Sequence, residues 1–230
     1  MKTFIKIVLF IIALLIVVPA LLFQYFFNSS PRDLGVKYTD ADRALAYTNN
    51  GVESLIITPI QNDPRGMKYE GKKDIKTTFT SAEITALNNS VTWINYPVSN
   101  VQIKINPDGT GEASGVLDIK KILSWVSFTH PVAEIEAKVN EYKIGFNPSF
   151  YLKGGVSVVN NKVTLTPQTI EVGRFVIPQN IVADNKSNVE NFIEDRINYV
   201  PNFYVKSLNL DGGKVNIDAT VPEKQYSVQK

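Results

Sequence analysis

The sequence predicts an α+β protein in which one amino-terminal transmembrane helix precedes a largely antiparallel, curved sheet packed with two or three helices. Three kinds of segment support this fold class: a long apolar run at the start of the chain, strand-like segments that face each other across turn residues, and capping boxes that open short helices. Strands before, between and after helices are typical of α+β domains. A chain of 230 residues is long enough to form a sizeable core outside the membrane.

The apolar run is Ile7–Phe23, which contains no charged residue and is preceded by Lys2 and Lys6. As a helix, this run and the aromatic residues after it span about 30 Å, the thickness of the hydrocarbon core of a bilayer. Basic residues beside a membrane helix favour the cytoplasmic side. We therefore expect a single-pass protein of the cell membrane with a cytoplasmic amino terminus and residues 28–230 outside the cytoplasm.

A cleaved signal peptide is the alternative interpretation, with cleavage near Ala20. It is disfavoured because the apolar run continues through Leu21–Phe23, which would leave an apolar new terminus. The sequence thus predicts a signal anchor at residues 1–27, a polar stalk or lead-in at 28–50, and an extracytoplasmic α+β domain at 51–230.

The charges outside the anchor balance. Of the 24 basic residues, Lys2 and Lys6 precede the apolar run, and the remainder equal the 22 acidic residues in number. A domain without net charge has no overall attraction to nucleic acid, so we expect no nucleic-acid partner. The chain has no cysteine, which excludes lipoprotein anchoring and disulfides.

Three hairpins are predicted from turn residues flanked by matching faces. Their turns are Asn160–Asn161, Gly212–Gly213 and residues 106–110. The predicted facing residues are Val156 with Leu165, Ser157 with Thr164 and Val158 with Val163 in the first hairpin; Leu208 and Leu210 with Val215 and Ile217, and Asp211 with Lys214, in the second; and Val101, Ile103 and Ile105 with Gly115, Ala113 and Gly111 in the third. Further strands are expected at Ser54–Thr58, Ile75–Phe79 and Gln168–Ile177.

Two capping boxes predict helices. Thr80–Glu83 opens a short helix that ends near Asn89, and Ser187–Glu190 opens a longer one that Pro201 ends. Weaker helical patterns occur at Lys120–Phe128 and Val132–Val139.

The sequence predicts no catalytic residue, no cofactor and no metal site. His130 is the one histidine of a chain without cysteine, so a zinc site would need mostly carboxylates. Gly111–Gly115 lacks the G-x-S-x-G spacing of a nucleophile elbow and lies in a hairpin. Neighbouring carboxylates such as Asp40 and Asp42 fit a solvated face better than an acid–base pair. We expect a non-enzymatic protein, with a hydrolase as the remote alternative.

The third hairpin places small residues opposite aliphatic ones, which leaves room above the strand. A closely packed helix or a bend in the sheet can occupy this room, and nearby aromatic residues then belong to the core. Alternatively, the room forms a groove for an apolar ligand such as a lipid acyl chain, and the aromatic residues line it. The hypothetical ligand-binding residues are Val101, Ile103, Gly111, Ala113, Gly115, Trp93, Trp125 and Phe128.

Several different short motifs made of turn and capping residues lie along residues 31–222. They are Pro31–Thr39, Phe79–Ile84 with Leu87 and Asn88, Val172–Arg174 with Ile177 and Pro178, and Ser207 and Leu208 with Gly212–Val215. These motifs resemble a family of uncharacterised bacterial membrane-anchored exported proteins. More loosely, the layout is similar to bacterial tubular lipid-binding (TULIP-like) domains, in which a long curved sheet wraps a helix and encloses lipid. This similarity implies that the helix ending at Val200 lies in the concave face of the sheet, and it implies no catalytic residue.

These observations favour a non-enzymatic, membrane-anchored protein of the cell envelope whose extracytoplasmic domain binds a lipid or other apolar ligand. Its expected partners are the lipid bilayer, through residues 7–27, a lipid ligand and an envelope protein. The alternative is an interaction module for an envelope protein or a cell-wall polymer, without a ligand cavity. A lipid-binding domain requires an apolar cavity, whereas an interaction module has a filled interior and an exposed apolar patch or sheet edge.

Overall fold

The computed structural model describes Tyr25 and residues 30–57, 66–127 and 147–228, with the backbone alone described at residues 124–127. These residues form an α+β structure with a mostly antiparallel sheet. The helices are α1 (Asp40–Asn50), α2 (Ser81–Asn89), α3 (Ile119–Ser127) and α4 (Gln179–Tyr199). The strands are β1 (Glu53–Ile56), β2 (Met67–Glu70), β3 (Lys73–Thr80), β4 (Val98–Ile105), β5 (Gly111–Leu117), β6 (Ser149–Val159), β7 (Lys162–Val172), β8 (Phe175–Val176), β9 (Tyr204–Asp211), β10 (Lys214–Val221) and β11 (Lys224–Ser227).

Several predicted features lie outside the described residues: the anchor, apart from Tyr25, and also His130 and the helix at Val132–Val139. Within the described part of the chain, no helix combines the length and apolar character needed to cross a membrane.

The large sheet has the strand order β3-β10-β9-β6-β5-β4, and β7 and then β8 extend it from β6. A second sheet has the order β1-β11-β2, with β1 parallel to β11. Strand β7 pairs along the whole of one edge of β6. The opposite edge of β6 is therefore shared by β5, at Ser149–Gly154, and by β9, at Val158 and Val159. The sheet thus divides into two ribbons, β5–β4 and β9–β10–β3, on one side of β6.

The predicted pairings around Asn160–Asn161 and Gly212–Gly213 are confirmed. The third hairpin is confirmed for two pairs, Ile105 with Gly111 and Ile103 with Ala113. The expected pairing of Val101 with Gly115 is not part of the ladder, because Asn100 and Val101 both lie in a β-bulge between Ser99 and Gln102, opposite Gly115. Asn100, in the bulge, has a φ of 51°, a left-handed conformation that asparagine tolerates.

The remaining strand predictions hold with changed bounds. The strand expected at Ile75–Phe79 is β3, and the one expected at Ser54–Thr58 is β1, one residue earlier at its start. The strand expected at Gln168–Ile177 is instead the end of β7, a turn at Gly173, and β8.

Helix α2 begins as predicted. The Thr80 hydroxyl accepts a hydrogen bond from the Glu83 amide, and the Glu83 carboxylate accepts one from the Thr80 amide. The helix pattern at Lys120–Phe128 is confirmed as α3. The predicted start of the long helix at Ser187 is wrong, because α4 begins eight residues earlier, after Pro178. Pro178 is the N-cap residue, with a φ of −57° and a ψ of 140°, and it offers no side-chain cap.

The segment expected to be a polar lead-in is part of the packed domain from residue 30 onward. It contains α1, which has its own capping box between Thr39 and Asp42 and places the completely buried Ala46 against its neighbours. Ahead of α1, the Leu34 amide donates to Gln102 Oε1 (2.8 Å), and Arg32 pairs with Glu171. Polar contacts therefore fix a segment whose composition suggested a stalk.

Among the residues that the structure describes, two apolar clusters form the core. The first comprises residues of β6, β7, β9 and β10, and Ile193 and Ile197 of α4 pack against it; its buried members are Val158, Val163, Val205, Ala219 and Val221. The second comprises Phe79, Ile105 and Val215, and α2 packs against it. Leu208 and Ile217 contact both clusters, so the two cores meet at β9 and β10.

Candidate functional site: an apolar groove

An apolar groove of about 390 Å³ lies where the two ribbons diverge from β6. Ligand pockets commonly have ~300–1,000 Å³. Strands β4 to β7, β9 and β10 and helix α4 supply its walls. The lining residues are Ile103, Ile105, Gly111, Glu112, Ala113, Leu152, Lys153, Gly154, Gly155, Val156, Leu165, Pro167, Thr169, Ile170, Val189, Leu208, Leu210 and Val215.

The floor of the groove includes three small residues of the neighbouring strands β5 and β6: Gly111, Ala113 and Gly154. Gly111 pairs with Gly154, and Ala113 pairs with Leu152. Gly154 also lies at a β-bulge against β7, where an added Cβ would lie 2.6 Å from the carbonyl oxygen of Thr166. The close approach of β7 therefore requires glycine at this position.

Two larger side chains set the ends of the groove. Leu210 Cδ1 lies 3.1 Å from the position of a Cβ at Gly111, so the end of β9 closes the gap between the ribbons. At the other end, a Cβ at Gly115 would lie 2.8 Å from Cε1 of Phe150. The phenyl ring of Phe150 fills this space, and the groove stops at Ala113.

Helix α4 provides the wall above β7. Its Glu190 carboxylate accepts a hydrogen bond from the Leu165 amide (2.8 Å), and its Glu194 carboxylate accepts one from the Val163 amide (3.0 Å). The ammonium group of Lys162 donates to Glu194 (2.7 Å), and this bond, followed by the Val163 amide, holds the pKa of Glu194 below its ordinary value. These hydrogen bonds fix α4 on β7, and Val189 of the fixed helix lines the groove.

The groove is open to solvent. Leu152 on β6 and Val189 on α4 both line it, and they are 41% and 46% exposed. A ligand can therefore enter without unfolding of the domain, and its apolar part would cover side chains that are now exposed to water.

The sequence-predicted site residues divide into three groups. Ile103, Gly111 and Ala113 line the groove as predicted. Val101, Gly115 and Trp93 are not among the lining residues: Val101 lies at the bulge and is buried, Gly115 is covered by Phe150, and Trp93 is buried away from the lining. The side chain of Trp125 and the whole of Phe128 lie outside the described residues.

Sequence reasoning missed the half of the groove that β6, β7 and β9 supply. These walls depend on pairings between residues far apart in sequence, which no local pattern reveals. One signal was available: Gly154 and Gly155 interrupt an otherwise strand-like run, and paired glycines within a strand mark a bulge or a close approach.

The opposite face of the sheet carries a closed polar cluster. The Arg32 guanidinium stacks on the ring of Tyr151 (3.7 Å to the centroid) and donates to both oxygens of Glu171. The Tyr151 hydroxyl donates to Glu112 (2.7 Å). Burial, followed by this hydrogen bond, raises the pKa of Tyr151, and the same hydrogen bond lowers the pKa of Glu112. Each group is satisfied by its neighbour, so the cluster clamps the segment before α1 onto the sheet.

Within the described ranges, no group of three or more His, Cys, Asp or Glu side chains is placed to hold a metal ion. Asp40 pairs with Arg43, and Asp42 caps α1. Neither carboxylate faces the groove, whose lining is almost wholly aliphatic.

Comparisons with models of known protein families, with curated proteins and with solved structures found no match.

Proposed function

We propose that this chain is a non-enzymatic, single-pass protein of the cell envelope whose extracytoplasmic domain binds a lipid or other apolar ligand. Residues 1–27 anchor it in the membrane, and a curved sheet presents the groove outside the cytoplasm. The observation that supports this function best is the groove itself, because its walls are aliphatic and Leu152 and Val189 of its lining are exposed to solvent.

The occupant that fits is an apolar chain without strong polar anchors. Along β6, the groove extends from Leu152 to Val156, about 13 Å at the rise of a strand. Glu112 contributes to the lining, but its carboxylate is engaged by Tyr151 on the other face. A hydrocarbon tail would bury apolar surface here without leaving polar groups unpaired.

The source of such a ligand is the bilayer in which the apolar run Ile7–Phe23 is expected to lie. A tethered domain meets membrane lipid at a high effective concentration. Membership of the family of anchored exported proteins, and similarity to tubular lipid-binding domains, belong to this proposal. The packing of Ile193 and Ile197 of α4 on the apolar face of the sheet supports that similarity.

The alternative function is an interaction module for an envelope protein or a cell-wall polymer. Strand β1 favours it, because β1 lies at the end of the strand order β1-β11-β2 and its Ile56 is 68% exposed. Sheet edges of this kind can accept a strand from a partner. The open groove favours lipid binding more, because an interaction module needs no cavity.

The test compares two equivalent substitutions in the full chain. Leu152→Lys places a charge in the groove, whereas Leu45→Lys places the same charge on α1, away from the groove; the two leucines are 41% and 52% exposed. Each protein is purified from membranes in detergent, checked for folding by circular dichroism, and examined by native mass spectrometry. We expect about tenfold less bound lipid for Leu152→Lys, because an unpaired charge is costly in an apolar site, and wild-type binding for Leu45→Lys.

Equal lipid occupancy in both variants would contradict binding in the groove. If Leu152→Lys does not fold, Ala113→Phe tests the same site by filling it. Gly115→Leu is unsuitable, because its side chain would collide with Phe150 and disturb packing rather than the groove.

A further inference from the structure

The turn between β7 and β8 and the start of α4 carry three exposed apolar side chains. Residues 173–181, here called the β7–β8 tip, include Phe175, Val176 and Ile181, which are all about half exposed. Arg174 lies at the turn, and the acidic residue next to the tip, Glu171, which pairs with Val176 across the hairpin, is engaged by Arg32. Apolar side chains that cluster at the surface mark a protein or membrane contact.

The backbone of the tip is held in place. The Gly173 amide donates to the Ser149 carbonyl (2.6 Å), and the Ile177 amide donates to the Ile170 carbonyl (2.8 Å). Strand β8 pairs with β7 between these two bonds. The exposure of Phe175 and Val176 is therefore a property of the folded hairpin.

The tip lies beside the end of the predicted membrane helix. The guanidinium carbon of Arg174 is 4.0 Å from the centroid of the Tyr25 ring. Tyr25 comes two residues after Phe23, the last residue of the apolar run. If this run crosses the bilayer, the tip is at the bilayer surface, where aromatic and basic side chains are favoured.

We propose that the β7–β8 tip docks onto the outer surface of the bilayer, with Phe175, Val176 and Ile181 among the lipid headgroups and Arg174 beside a lipid phosphate. This inference rests on the anchoring in the proposed function and goes beyond it by fixing which part of the domain faces the lipid. Ile170, whose carbonyl accepts the hydrogen bond from the Ile177 amide of the tip, also lines the groove. Docking therefore brings one end of the groove to the membrane.

The absence of cysteine from the chain allows a matched pair of spin-labelled variants of the full protein. Val176→Cys labels the tip, and Val159→Cys labels the far end of the β6–β7 hairpin; the two valines are 55% and 59% exposed. Both variants are reconstituted into vesicles of phosphatidylethanolamine and phosphatidylglycerol. Power-saturation spectroscopy then compares the accessibility of each label to oxygen, which partitions into lipid, and to a water-soluble nickel chelate.

We expect the label at position 176 to favour oxygen and the label at 159 to favour the nickel chelate. Equal preference for the chelate in a membrane-integrated protein would overturn docking and leave the anchor intact. Protection of position 176 from both reagents would indicate a protein partner and also overturn it. Failure of the chain to enter vesicles would overturn the anchor and docking together. If Val176→Cys does not fold, Ile181→Cys, 47% exposed, carries the label with the same expected result.

Discussion

Helices α2 and α4 each bind a strand of the large sheet through polar side chains four residues apart. The spacing is the same, but α2 uses hydroxyl and amide groups and α4 uses mainly carboxylates. On β4, Ser81, Thr85 and Asn89 of α2 bind the main chain of Ile105, Ile103 and Val101. On β7, Glu190 and Glu194 of α4 bind the amides of Leu165 and Val163, and Asn198 accepts from the side chain of Asn161. Four helical residues rise about 6 Å and two strand residues about 6.8 Å, so the repeats match.

The two helices differ in what lies behind them. Helix α2 has nine residues, of which Glu83, Thr85 and Ala86 are buried, and α1 packs against it. Helix α4 has 21 residues, of which Val182 alone is buried. The α2 side is thus a buried scaffold. The groove lies between this scaffold, which contributes Ile105 and Val215 to the lining, and helix α4, which contributes Val189. Main-chain contacts can therefore hold a helix in place while the space beside it remains available to a ligand.

The largest expected effect is at Thr85, whose hydroxyl accepts from the Ile103 amide (2.9 Å) and donates to the Ile103 carbonyl (3.1 Å). Thr85→Val keeps the shape and removes both bonds. We expect the free energy of unfolding to fall by about 3 kcal/mol, because each buried group left unpaired costs ~1–3 kcal/mol. The change in the free energy of unfolding is measured by urea unfolding of the full chain in detergent, monitored by tryptophan fluorescence.

The control for this prediction is Thr48→Val in α1, where an exposed hydroxyl donates to the Ala44 carbonyl. Its effect should stay below about 0.5 kcal/mol, as for other surface changes. Similar losses at Thr85 and Thr48 would show that the contact between α2 and β4 is not a main support of the scaffold.

A smaller, local effect is expected at Glu190 of α4. Glu190→Ala leaves the Leu165 amide without its partner, so its hydrogen-exchange protection should fall about tenfold. Amides of α2 and of Ile103 should keep their protection, because α4 opens without the scaffold. Glu190→Gln retains an acceptor oxygen and should behave like the wild type. Equal loss of protection at Ile103 would contradict the independence of the two regions.

The smallest expected effect is a loss of amide protection at low pH, which should affect the contact of α4 with β7 more than the contact of α2 with β4. The Lys162 ammonium and then the Val163 amide lower the folded-state pKa of Glu194, so its stabilising contribution is complete above the unfolded pKa of ~4.3. This contribution is lost as the pH falls through the lower folded-state pKa. We expect the Val163 amide to lose protection, corrected for intrinsic exchange, below about pH 4, while the amide of Ile103, which binds the neutral Thr85, changes less.

Glu194→Gln provides the control, because its side chain cannot ionise. Val163 in this variant should show no further loss across the same pH range. The same acid-dependent loss in wild type and variant would exclude Glu194 as the cause.

Local signals in the sequence predicted those parts of the fold that local physics determines. The turns at Asn160–Asn161 and Gly212–Gly213 fixed the register of their hairpins, and the box at Thr80–Glu83 marked the start of α2. The box at Ser187 misled because its residue pattern also fits a helix interior, and a start after Pro178 lacks a side-chain cap. Val101 was misplaced because a bulge has no reliable pattern in a single strand.

The part of the groove that was predicted is likewise the part that depends on local sequence. Gly111 and Ala113 lie in a hairpin whose partner strand is adjacent in sequence, so their small faces could be recognised. Leu152, Gly154 and Leu165 join the site through pairings of β6 with β5 and β7. Long-range pairing, and the division of the sheet at β6, decide the shape of the site, and neither is encoded in a short stretch of residues.

The most direct test of the groove as a lipid site is photo-crosslinking of the full chain in membranes that contain a fatty acid with a diazirine near the end of its chain. Peptide mass spectrometry then locates the attached lipid. The account predicts adducts on groove residues such as Leu152, Ile170 and Val189, and their loss on addition of excess unlabelled fatty acid. Adducts confined to residues 1–27, with none in β5 to β7, would contradict it.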